Sequence, residues 1–273
     1  MSGGDDRFPD GALDDIAYLS RSVNRVRILD AITTAPSTRS ELEETTGASR
    51  TTVGRIINEF EERGWARRTT DGEYAATPPG NRMLSEFEPF VQSVQVIGNF
   101  GDLVAWLPLD EVPIDLHHFS DSTVHRPEPA DPTSTLAEFT TRMEAAAEFQ
   151  CVVRIAPPVP LERKMRDGVV ERGMETKHVI TDGELEYLLD RPDRSTNWRE
   201  YVEAGANVYR YDGQIPCNLF VFDDTVLIAN TSSDFGEPHV VIETGNKEVL
   251  SWARRVIEKY RSEAERINSA AFR

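Results

Sequence analysis

Cysteine, lysine and long apolar runs are the three scarcities of this 273-residue chain. Its two cysteines, Cys151 and Cys217, give neither a metal-ligand spacing nor a disulfide framework. No apolar run approaches the roughly 20 residues needed to span a bilayer, so no membrane partner is expected. The opening MSGGDDRFPD is acidic where a secretory leader would be basic and then apolar, which points to a cytoplasmic protein. Missing too are the G-x-S-x-G elbow, the P-loop and the dinucleotide fingerprint. No catalytic residue and no cofactor is therefore expected.

Of 30 basic residues only four are lysine (Lys164, Lys177, Lys247, Lys259), against 47 acids and a net charge of −17. A dense carboxylate surface repels its neighbours and stays hydrated. That composition suits a halophilic archaeon, although a GC-rich genome alone also favours arginine over lysine. Taken whole, the charge argues against nucleic acid. Its distribution reverses the argument. Between Arg21 and Arg68 nine arginines face seven acids, a local +2. In molar salt the Debye length is about 3 Å, which screens the distant carboxylates.

The periodicity there predicts helix, helix, helix, hairpin, helix. One helix runs from Asp14-Asp15 through Val23 and Leu29 to Ile32. Thr38, with Glu41 as its capping-box partner, starts a second helix that Gly47 ends. Ser49 caps a third, Arg50 to Arg63, whose Val53, Ile56, Ile57 and Phe60 form one apolar stripe. Asp71-Gly72 sits between two short extended runs, a hairpin signal. A further helix follows from Arg82 to about Val96, kinked at Pro89. This order is that of a winged helix-turn-helix, whose partner is double-stranded DNA.

At about 100° per residue the face opposite the stripe carries Thr51, Arg55, Asn58 and Glu62, with Thr52 at its edge. Arg55 suits a guanine and Asn58 an adenine. Arg39, Ser40, Arg50, Arg67 and Arg68 suit phosphates, and Ser49 joins them at the helix start. The bland alternative is a solvated helix face.

The stretch ELEETTGASRTTVGRIINEFEERGWARRTTDGEYAATPPG resembles the winged helices of archaeal and bacterial transcription regulators, over roughly residues 14–97. Gly54, inside the recognition helix, departs from good helix-forming practice by about 1 kcal/mol against alanine.

The second half alternates strands and helices and ends on a hairpin. Expected strands are Cys151–Ala156, Thr176–Ile180, Ala206–Tyr211, Asn218–Phe222, Thr225–Asn230 and Val240–Glu243. Expected helices are Thr135–Glu148, Pro160–Arg172, Asp182–Leu189 and Asn197–Ala204, with a long closing helix from Lys247 to about Ile267. The fold class is thus α+β: a winged helix-turn-helix at 14–100, then a mixed α/β domain at 101–268, with the boundary near Asn99–Asp102. A Pro-rich acidic stretch, Glu128 to Pro132, reads as a connection.

VYRYDGQIPCNLFVFDDTVLIA, HVVIETGNKEVLSWARRVIEKY and PPVPLERKMRDGVVERGMETKHVITDGELEYLL resemble the C-terminal domain of haloarchaeal regulators related to the methanogenesis regulatory protein. The resemblance spans about Trp106 to Arg266 and implies an effector or sensor domain for a small molecule or partner. Cys217 departs from it where an aromatic or aliphatic residue is common; it reads as a small buried hydrophobe, with a redox role as the alternative. Strand-end residues Arg154, Tyr209, Tyr211 and Asn218 are candidate effector ligands; their bland alternative is sheet packing.

Asp115, His117, His118, Asp121 and His125 cluster in sequence but match no standard zinc spacing, so no metal is expected. Ser232-Ser233-Asp234 with His239 permits a triad only in the sense that most chains do. The expectation is a sequence-specific transcription regulator acting as a homodimer. Two alternatives stay open: an enzyme domain with an appended winged helix, and a winged-helix protein-interaction module.

Overall fold

The computed structural model describes residues 9–127, 130, 134–230 and 240–272. Its contacts divide the chain into two units, the first ending at Gln92 and the second beginning at Ser93.

In the first unit α1 (Asp10–Ser20) and α2 (Val23–Thr34) replace the single helix expected from the apolar spacing. The break has a local cause. Ser22 is extended, with φ −155° and ψ 122°. The Arg25 guanidinium donates to the Tyr18 carbonyl at 2.6 Å, satisfying an orphan acceptor at the end of α1. Then comes α3 (Arg39–Thr46), entered through the expected Thr38/Glu41 capping box. The Thr38 backbone amide donates to Glu41 and holds its carboxyl below the usual carboxylate range. Gly47 closes α3 in the left-handed region at φ 69°, which favours glycine.

Next, α4 (Arg50–Glu62) starts on Ser49, whose hydroxyl accepts from the Thr52 amide. Strands β1 (Ala66–Arg68) and β2 (Tyr74–Ala76) form the antiparallel hairpin around Asp71-Gly72. Ser37 bridges to Tyr74 and ties the hairpin to the start of α3. Val53, Ile56, Ile57 and Phe60 of α4 are fully buried with Leu29, Leu42 and Trp65. Burying one such side chain is worth about 1.5–3 kcal/mol. Helix α5 (Pro78–Phe100) is longer than expected at both ends and runs through Pro89. The boundary between units therefore falls inside α5, before the Asn99–Asp102 turn.

The second unit is a sheet covered on both faces. Its strands are β3 (Thr123–His125), β4 (Glu148–Val153), β5 (Glu175–Thr181), β6 (Asn207–Tyr211), β7 (Asn218–Phe222), β8 (Thr225–Asn230), β9 (Val240–Thr244) and β10 (Glu265–Arg266). Their order across the sheet is β10-β6-β5-β4-β7-β8-β9-β3. The β4–β5 and β5–β6 pairs are parallel and the rest antiparallel, which is the expected mixed sheet.

The helices are α6 (Leu136–Ala145), α7 (Val159–Arg172), α8 (Asp182–Leu189), α9 (Pro192–Glu203) and α10 (Lys247–Ser262). Parallel neighbours need long crossovers, and α7 and the α8–α9 pair supply them. One core holds Cys151, Val153, Ile180 and Phe222 against α6, α7, α8 and α9. The other holds Val152, Val179, Leu219 and Ile242 against α10. Neighbouring strand residues point to opposite faces, which splits the two sets.

Several expectations need correction here. The helix expected at Thr135–Glu148 ends at Ala145, the strand expected at Cys151–Ala156 runs from Glu148 to Val153, and the helix expected from Asn197 begins at Pro192. The closing helix ends at Ser262 and not Ile267, and the chain then adds the edge strand β10 beside β6. Strand β3, pairing with β9, was not anticipated. Of the Pro-rich stretch only Ala130 is described, and Ser232-Ser233-Asp234 and His239 lie outside the described residues.

Candidate nucleic-acid interface

The groove-facing side of α4 follows from its apolar side. With the Val53–Phe60 stripe buried, Thr51, Arg55 and Asn58 are left exposed and Thr52 half-buried. Arg39, Ser40, Ser49, Arg50, Arg67 and Arg68 are exposed as well. The ten residues singled out from the sequence thus share one small domain, and nine of them are open to solvent.

Several are held in place. Arg55 Nη1 lies 3.0 Å from Glu59 Oε1, one helical turn on, while its side chain stays 55% exposed. Glu59 in turn accepts from the Tyr18 hydroxyl at 2.6 Å. That hydrogen bond, with Arg55 and Arg25 nearby, keeps the Glu59 carboxyl below the usual range. Burial and the same carboxylate push the Tyr18 hydroxyl well up. Tyr18 is further fixed by the Arg25 guanidinium, 3.8 Å from its ring centroid.

Arg39 crosses from α3 to α4. Its Nη2 donates to Asn58 Oδ1 at 3.4 Å, and its guanidinium lies 5.4 Å from the Tyr74 ring centroid. A Cβ on Gly54 would meet that guanidinium at 3.7 Å, an ordinary contact. Glycine at 54 thus leaves room over which Arg39 lies, but sterics do not demand it. On the hairpin, Arg67 pairs with Ala75 and Arg68 with Tyr74. Adjacent strand residues face opposite ways, so Arg67 and Arg68 present cations on both sides of the wing. Sequence reasoning missed the contribution of Glu59 and Tyr18. An acid four residues after Arg55 was the available signal.

The four candidate effector residues do not come together. Tyr209 and Tyr211 belong with the core on the α10 face. Asn218 lies 1% exposed among residues of the opposite face, its Oδ1 accepting from the Arg154 amide at 2.9 Å. Cys217 is buried, and desolvation pushes its thiol up to about 12, which suits an inert hydrophobe. Of the five metal candidates, Asp115, His117 and His118 place one ligand atom each within 4.8 Å of one another. Among the described residues, these three are the ones that could hold a metal ion. Asp121 is engaged by the Thr244 hydroxyl and His125 by Glu243.

No helix among the described residues is long and apolar enough to cross a membrane. Among solved structures, the archaeal chromatin protein TrmBL2, whose structure shows a mode of DNA binding, is 18% identical over 93% of this chain and 99% of its own, with a TM-score of 0.43. The phospholipase D family member Nuc from Salmonella typhimurium is 10% identical over 54% of this chain and 99% of its own, at 0.44. The MarR family regulator SPO1453 from Silicibacter pomeroyi is 15% identical over 33% and 69%, at 0.27. At these scores none of the likenesses bears on function. No curated protein matches the chain by sequence. Residues 13–98 match the HVO_A0261 N-terminal domain, and residues 132–263 match the middle domain of the methanogenesis regulatory protein FilR1. The chain thus carries, in this order, one stretch similar to each of these two domains.

Proposed function

We propose that this regulator binds duplex DNA in a sequence-dependent way through α4, and that its second unit biases that binding by taking up a small neutral effector. The exposed Thr51–Arg55–Asn58 face, opposite a fully buried stripe, carries the first part. A helix about 10–12 Å wide fits the major groove, where bidentate Arg and Asn contacts discriminate bases by roughly 1–3 kcal/mol each. Arg39, Arg50, Arg67 and Arg68, with Ser40, Ser49 and Thr52, contact the flanking backbone.

The regulator acts as a homodimer on a two-fold site. Exposed apolar residues of α5 support this. Phe90, Val94 and Ile97 follow at i, i+4 and i+7 and are 52%, 52% and 51% exposed. Its lysine-poor, acidic composition supports a salt-rich cell interior, where short-range groove contacts matter more than long-range attraction.

The test is a shift assay at high salt on genomic fragments recovered by occupancy mapping. Wild-type protein retains these over random DNA. Equal retention of both overturns the reading.

A further inference from the structure

On one face of the second unit's sheet, β4, β5, β7, β8 and helices α6 and α7 line a partly open cavity of about 60 Å³. One water needs roughly 10–15 Å³ by this kind of measure, so the innermost space holds a few heavy atoms and a larger ligand reaches it through the open side. Its walls are aromatic and aliphatic. Phe139 meets Phe220 edge-on, with centroids 4.9 Å apart, and Phe149 lies 4.9 Å from Phe222.

Two polar side chains interrupt the lining, His178 and Asn218, which are 2% and 1% exposed. The His178 ring sits between Phe149 at 5.8 Å and Trp198 at 5.0 Å. Its Nδ1 has no hydrogen-bond partner among the described residues. Leaving a buried polar atom unpaired is costly, so such an atom on a cavity wall marks a place for a ligand group. No charged side chain lines the cavity among the described residues. Burial pulls the His178 imidazole down to about 3, so the ring is neutral and offers no counter-charge.

We propose that this cavity is the effector site, and that it takes a small neutral aromatic molecule whose single polar group hydrogen-bonds His178. A charged ligand is disfavoured, because an unpaired ion pays heavily on entering such a lining. An aromatic one is favoured, because the lining offers the rings of Phe139, Phe149, Phe220 and Phe222 as partners. The assignment rests on reading the second unit as the effector-binding part of the regulator.

Phenol is the probe, with toluene and benzoate as comparisons, on the full chain without DNA. Met143 and Met165 line the cavity, whereas Met83 lies in the first unit. With ¹³C-methyl methionine, phenol produces saturable ring-current shifts at Met143 and Met165 and none at Met83. Benzoate produces none. In His178→Phe, phenol loses its advantage over toluene, a change of about tenfold in relative affinity. Ala229→Val, which adds bulk to the lining, weakens both neutral ligands. Absence of saturable shifts at Met143 and Met165 with either neutral ligand overturns the cavity assignment. So does a phenol-to-toluene ratio that His178→Phe leaves unchanged. Coupling is read separately. Phenol that binds here but leaves DNA affinity unaltered overturns the effector role of the cavity, while the DNA-binding reading stands.

Discussion

Arg55 and Glu59 form an ion pair at 3.0 Å on the exposed side of α4, and Tyr18 holds Glu59 from the other side. The cation best placed to read a base is thus tethered in the free protein. An exposed pair of this kind is worth only about 0–1 kcal/mol, so DNA can break it at small cost. Glu59→Gln keeps the Tyr18 contact but removes the charge that competes for Arg55. We expect DNA affinity to rise severalfold, with the base preference retained, as measured by fluorescence anisotropy. A fall in affinity would show that Glu59 orients Arg55 and does not compete for it.

The wing cations should behave differently from Arg55. In the Arg67→Ala/Arg68→Ala double variant the slope of log affinity against log salt shrinks by about 0.9 for each phosphate that the wing no longer neutralises. Base preference is unchanged. A titration on one preferred and one random duplex, across salt, separates the two effects. Loss of preference with an unaltered slope would reassign these arginines from the DNA backbone to the bases.

Gly80 opens α5 against the wing. A Cβ there would lie 2.0 Å from the Trp65 carbonyl oxygen, a backbone atom that cannot swing aside. That carbonyl also accepts from the Thr77 amide at 2.9 Å. Gly80→Ala therefore forces the helix start away from the hairpin, and overpacking of this kind costs about 1–3 kcal/mol. Urea denaturation should show a lower midpoint; an unchanged midpoint would mean that the junction relaxes freely.

Glu184 is 3% exposed, and neither carboxylate oxygen has a hydrogen-bond partner among the described residues. Desolvation raises its carboxyl well above the usual range, opposed by Arg194 and reinforced by Glu162. Unfolded, the group loses its proton near pH 4.3, while folded it keeps it to higher pH. The unfolded state then binds fewer protons, so this group's contribution to stability falls as pH rises above that value. Glu184→Gln removes the penalty. We expect little difference from wild type near pH 4.5 and a melting temperature roughly 2–4 °C higher at pH 8. A difference independent of pH contradicts the assignment. His178 works in the opposite direction, since its depressed imidazole makes stability fall as pH drops below about 6.5 toward 3.

Much of the first unit was legible because its stops and starts are local. Thr38 with Glu41, Gly47 and Ser49 act within three residues of themselves, and the stripe of α4 fixes which side chains face out. The break between α1 and α2 was hidden because apolar spacing continues through it, and the terminating group is a guanidinium seven residues away in sequence. Strand β3 has three residues and β10 two, and both exist only through pairing with distant partners. The cavity was illegible for the same reason. His178, Phe220 and Phe139 come from three elements, and no spacing in the chain announces that they meet. The proposed effector set split because Asn218 and Tyr209 alternate onto opposite faces of the sheet, which strand-end position alone cannot reveal.

Base reading by the exposed face of α4 is open to one simple test. Its most direct measurement is the ratio of affinities for an occupancy-derived duplex and a scrambled one, at one fixed salt concentration, for wild type and Arg55→Ala. We expect Arg55→Ala to lower the ratio about 5- to 150-fold, while affinity for the scrambled duplex changes little. An unaltered ratio, with both affinities falling together, would contradict it.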